Sequence, residues 1–113
     1  MTVPKFLRPA IRDVVHELTA GNYELLERDG RTGRLTASEV RDAIQEYGRT
    51  LIDLPAVAFD EGGDSFQINN SRWAVDQDLW TAEDGHSDLT LELDAVVTAD
   101  GTWSVVITDL HMQ

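Results

Sequence analysis

The sequence predicts an α+β domain, with N-terminal helices packed on one face of a three- to four-stranded antiparallel meander sheet. Apolar residues recur at helical spacing up to about residue 50, and from residue 66 they alternate with period two. Turn residues separate the segments, and helices followed by strands imply helices covering one side of an antiparallel sheet. The 113 residues suffice for one domain over 1–113, mainly helical to residue 50 and mainly strands from 51. A chain of this length buries roughly two-thirds of its unfolded surface, so its core needs no staples.

Residues 9–20 read as the first helix, because Ile11, Val14, Val15 and Leu18 form one apolar stripe. Pro9 suits its first turn and Gly21 its left-handed stop. Asn22 can cap a short second helix that holds Tyr23, Leu25 and Leu26 and ends at Gly30. Residues 37–47 form a third, with Val40, Ala43, Ile44 and Tyr47 on its stripe, a Thr36-x-x-Glu39 capping box and Gly48 at its end. Pro55 breaks the apolar run 51–59, which reads as a short extended piece and then a turn or one helical turn. Phe66 to Ile68 is a short strand, followed by the turn Asn69-Asn70-Ser71. Residues 72–80 place Trp73, Val75 and Leu79 on one face. Residues 88–97 place Leu89, Leu91, Leu93, Ala95 and Val97 one way and Asp88, Thr90, Glu92 and Asp94 the other. Residues 102–110 are rich in strand formers.

Composition excludes several classes. Without cysteine there is no disulfide framework, thiolate metal site or cysteine nucleophile. No apolar run approaches about 18 residues, so no membrane partner is expected. The N-terminus lacks the apolar core of a signal peptide, and the cytoplasm is the expected compartment. A net charge of −12 argues against nucleic acid as a partner. That charge is uneven. Residues 1–52 hold eight basic and eight acidic residues, whereas residues 53–113 hold Arg72 alone against 13 acids. Such asymmetry bears on partner choice rather than on fold.

Register shows where the acids fall. Ala99-Asp100-Gly101 fits a three-residue hairpin loop with glycine last, which pairs Val97 with Trp103, Ala95 with Val105 and Leu93 with Ile107. An earlier hairpin pairing Leu79 with Leu89 across a loop at 81–87 sets Val75 against Leu93 and Trp73 against Ala95. On the other face Asp76 then opposes Glu92, Asp78 lies near Thr90, and Asp94 sits diagonally. No lysine or arginine follows Arg72, so nothing within these strands neutralises the cluster. Trp80 shares this face, as do Val96, Val106 and Leu110. Carboxylates around an indole resemble a binding patch, so Asp76, Asp78, Trp80, Glu92 and Asp94 are the candidate partner-binding residues. On the helix-covered face Gln77 and Asp109 would flank Leu91 and His111 would oppose Leu89, which gives an alternative small-ligand pocket.

No catalytic constellation emerges. Gly33 to Glu39 copies half of a calcium-binding loop, but Arg28, Gly30 and Thr32 stand where ligands are needed. The acidic loop Asp60 to Asp64 offers only carboxylates. His86-Ser87-Asp88 holds the residue types of a triad, yet adjacent side chains diverge. Asp109-x-His111 would need His86 or His16 to complete a metal set, and its spacing is common by chance. No metal and no cofactor is expected, and an enzyme is not the leading reading.

Tyr47-Gly-Arg-Thr-Leu-Ile52 and Asp78-Leu-Trp-Thr-Ala-Glu-Asp-Gly-His-Ser-Asp-Leu-Thr-Leu-Glu-Leu93 resemble a family of small bacterial proteins with no assigned function. The resemblance implies a small soluble α+β domain and carries over no catalytic residue. More loosely, the element order resembles cone-shaped folds of the nuclear-transport-factor or cystatin type, which hold ligands or partner proteins. Two functions follow as expectations. The first is an acidic interaction module, similar to immunity or antitoxin proteins, meeting a basic protein partner through the carboxylate face. The second is a small-ligand binder or enzyme using the pocket between helices and sheet. A homodimer through the second sheet face is the third possibility.

Overall fold

The computed structural model describes residues 2–112. A single turn of 3-10 helix, Lys5–Leu7, leads into α1 (Arg8–Thr19), α2 (Tyr23–Arg28) and α3 (Ala37–Tyr47). There follow β1 (Leu51–Ile52), α4 (Ala58–Glu61), β2 (Gly63–Asn69), β3 (Arg72–Thr81), β4 (Gly85–Val97) and β5 (Trp103–Met112). The segment 51–59 thus holds both the short extended piece and the start of a helical turn. The strands extend beyond their expected limits, chiefly β2 and the start of β4.

Local chemistry sets the helix ends. After α1, Gly21 N–H reaches Leu18 O at 3.2 Å and Asn22 N–H reaches Glu17 O at 2.9 Å. This is the Schellman arrangement, which needs a left-handed residue at Gly21. Asn22 does not cap α2 with its side chain; its Nδ2 donates to Glu17 Oε2 at 3.2 Å instead. The capping box of α3 is formed: Glu39 N–H donates to Thr36 Oγ1 at 3.1 Å and Thr36 N–H to Glu39 Oε1 at 3.0 Å.

All strand pairings are antiparallel. β1 and β2 lie on the same side of β3, β1 against its C-terminal end and β2 against the rest, and β4 and β5 follow on the other side. The helices cover one face. Ile11, Val14, Val15 and Leu18 of α1, with Val40 and Ile44 of α3, join Val75, Leu79, Leu89, Leu91, Leu93, Val105 and Ile107 in one core. The closing hairpin has the expected register, Val97 opposite Trp103, and Gly101 at φ 85° supplies its left-handed position. Among the described residues no helix is long and apolar enough to cross a membrane.

Two bulges depart from the expected register. Thr81 pairs with Gly85, which closes a turn shorter than the loop anticipated at 81–87. Asp78 still meets Thr90, yet Trp80 meets His86, so β4 spends three residues where β3 spends one. Leu79 therefore does not pair with Leu89. Ser87 satisfies the backbone exposed by this bulge: its hydroxyl donates to Leu79 O at 2.7 Å and accepts from Leu89 N–H at 3.2 Å. The second bulge is in β5. Glu92 pairs with Asp109 but Leu93 with Ile107, which makes Thr108 an extra residue. Beyond it every side chain of β5 points to the face opposite the one expected.

Candidate functional site

The alternation of β3 and β4 turns Asp76, Asp78, Glu92 and Asp94 away from the helices, as expected, with Asp76 opposite Glu92 and Asp78 opposite Thr90. The bulge at Thr108 adds to them. Asp109 and His111, expected among the helix-facing residues, stand on this outer face, opposite Glu92 and Thr90 respectively. Leu110, expected outside, is buried opposite Leu91. On the other flank Asp64 of β2 opposes Asp76. Four carboxylates, Asp64, Asp76, Glu92 and Asp109, therefore stand in one row across four strands. At the usual strand spacing this row is about 14 Å long.

The neighbouring positions differ in what balances their charge. Asp94 is paired with Arg72, Nε to Oδ1 2.7 Å, so the cluster does hold one cation within its strands. Asp78 accepts from Thr90 Oγ1 at 2.8 Å and lies 2.8 Å from His86 Nε2. His111 Nδ1 lies 3.2 Å from Glu92 Oε2 and 3.1 Å from Asp109 Oδ2. Asp76 makes no ion pair among the described residues and is exposed.

Trp80 is not presented to solvent. Its ring stacks on His86 with centroids 4.3 Å apart and planes 10° apart, and only 7% of the residue is accessible. The link from α4 to β2 covers it: Gly62 O accepts from Asp78 N–H at 2.7 Å, and a Cβ on Gly62 would lie 3.1 Å from Trp80 Cζ3. The exposed aromatic of this face is Phe66 on β2, 58% accessible, which shares the parity of Asp64 and opposes Ala74. The sequence pattern puts Phe66 in a strand but holds no signal that connects it to the acids. The pairing of β2 with β3, two positions from Asp64, does so.

The alternative pocket is not assembled. Gln77 is fully enclosed in the core, its Nε2 donating to Ala58 O at 3.0 Å and to Asp78 O at 2.9 Å. Asp109 and His111 lie on the opposite face of the sheet, so these three side chains do not line one cavity. His86, Asp78, Asp84, Ser87, Asp88 and Tyr47 instead border an open polar groove at the β3–β4 turn. Tyr47 OH donates to Asp88 Oδ1 at 2.6 Å, and that bond to a carboxylate raises the phenol above its ordinary range. The Ser87 hydroxyl is engaged by the backbone of the bulge, donating to Leu79 O and accepting from Leu89 N–H. Neither His16 nor His86 joins Asp109 and His111; among the described residues the group whose ligand atoms converge, within 4.8 Å of one another, is Glu92, Asp109 and His111.

Residues 15–113 match the family described as Domain of unknown function (DUF7668), and the chain belongs to that family. Neither the curated proteins nor the solved structures give a match.

Proposed function

We propose that this member of the DUF7668 family is an interaction module that binds a basic protein partner through the outer face of its sheet. Asp76 and Glu92, directly opposite each other at the centre of the row, carry the reading. Like charges directly opposite in a ladder destabilise a sheet, each pair by some fraction of about 1 kcal/mol. A positively charged partner relieves that repulsion and thus binds the folded chain with energy the free fold leaves unused. Phe66, exposed in the next position along β2, supplies the apolar contact that the buried Trp80 does not.

The test is fluorescence anisotropy of a labelled arginine-rich peptide with the full chain, in EDTA, at low and high salt. Binding should weaken as salt screens the row, and it should be lost in Asp76→Lys/Glu92→Lys. A second variant, Asp42→Lys/Glu46→Lys on α3, changes the net charge equally but leaves the sheet intact, and should bind as the parent does. Equal loss in both variants, or none in the first, would refute a role for this face.

A further inference from the structure

The bulge at Thr108 does more than lengthen the acidic row: it brings an imidazole nitrogen between two carboxylates. We infer that Glu92, Asp109 and His111 form a binding site for a divalent transition-metal ion, held by one nitrogen and two oxygens. This goes beyond recognition of a basic partner, since it concerns an ion and is read with the ion alone.

Two features suit the trio to an ion. The His111 side chain is 40% accessible, yet its Nδ1 is enclosed and makes no hydrogen bond among the described residues. Two carboxylate oxygens lie within 3.2 Å of that nitrogen, in directions that suit no N–H donor. A ring turned to donate a proton would align with one of them. A neutral ring with its proton on Nε2 has the Nδ1 lone pair available to an ion shared with both carboxylates. The second feature is the spacing. Ligands bonded to one ion at about 2.0–2.1 Å stand about 3.0 Å apart when octahedral neighbours and about 3.3 Å apart when tetrahedral. The distances from His111 Nδ1, 3.1 and 3.2 Å, fall in that interval.

The backbone supports the arrangement. Residues i and i+2 of a strand share a face, so Asp109 and His111 move together, and the single extra residue before them sets both against β4. Bulges are frequent where a strand must re-aim side chains beside a site. Asp76, directly across from Glu92, adds negative charge next to the position of the ion. A mixed nitrogen and carboxylate set favours zinc, manganese or iron over calcium and magnesium, for which imidazole is a poor ligand. Three protein ligands leave at least one coordination position open to water or to a group from another molecule.

Zinc ion alone, titrated calorimetrically into the full chain, tests the site. One ion should bind per chain, and the His111 ring resonances should shift in the NMR spectrum while those of His16 do not. Losing a second-shell partner already costs about 10–100-fold in affinity, so His111→Ala and Asp109→Asn should each weaken zinc by more than tenfold. His86→Gln should leave it within twofold. Circular dichroism and a cooperative melt of each apo variant show that the fold is intact. Absence of binding at millimolar zinc, or binding that survives His111→Ala and disappears in His86→Gln, would overturn the assignment. Peptide binding in EDTA is read separately, so either conclusion can fail without the other.

Discussion

Gly63 shows how closely the start of β2 is packed. Its backbone lies in a region open to any residue, so only space decides what fits. A Cβ there would stand 2.7 Å from Gln77 Oε1, 2.7 Å from Phe59 O and 2.8 Å from Val3 Cγ2. All three of these atoms belong to backbone or to enclosed side chains and have little room to retreat. Gly63→Ala should therefore destabilise the fold by about 2 kcal/mol, as overpacking does. Urea unfolding measures it, and an unchanged midpoint would contradict the packing. Side chains set by alternation alone were legible in the sequence, Asp76 and Glu92 among them. Trp80 was not, because its cover comes from Gly62, eighteen residues away in the chain, and no periodicity carries that information.

At the level of elements, the β4–β5 hairpin is held by a small network in its loop. Asp100 accepts from the hydroxyls of Thr98 and Thr102 and from Thr102 N–H. These bonds, that of Thr98 foremost, lower its carboxyl from the ordinary 3.8 to about 2. A depressed carboxyl stabilises the folded state above its unfolded value, so this contribution is complete above about pH 4. It is lost as the pH falls from 3.8 through about 2. NMR titration should give Asp100 a midpoint well below 3.8, and Thr98→Val should raise it. A midpoint at the ordinary value would exclude the network. The hairpin itself was readable from Gly101 and from apolar pairs on both sides. The two bulges were not. One depends on Gly85 closing a tighter turn, the other on a single residue, Thr108, and neither leaves a mark in alternating hydrophobicity. That is why alternation alone puts Asp109 and His111 on the helix side and makes the row shorter than it is.

Across the molecule, charge is divided between the two layers. Cations of the helical half reach acids at the margin of the sheet half: Arg8 pairs with Asp60 at 3.2 Å and Arg49 with Asp84 at 3.1 Å. The far side of the sheet has Arg72 as its one arginine and no lysine. Repulsion there is exposed to solvent and hence open to screening, whereas the exposed Arg–Asp pairs contribute little that salt could remove. Raising sodium chloride from about 20 to 500 mM should increase the melting temperature by about 4 °C, corresponding to about 1 kcal/mol in a domain of this size. Scanning calorimetry measures the shift, and Asp76→Lys/Glu92→Lys should reduce it. A melting temperature that falls with salt would mean that the cross-layer pairs dominate.

The extra residue in β5 has a consequence for how this surface can change over generations. A strand is read in twos, so exchanging Thr108 for another amino acid preserves the parity of all that follows. Removing its codon would instead turn Asp109 and His111 towards the helices and Leu110 towards water. Insertions and deletions near the C-terminus, rather than point substitutions, are thus the steps by which the share of this face that β5 supplies is gained or lost whole.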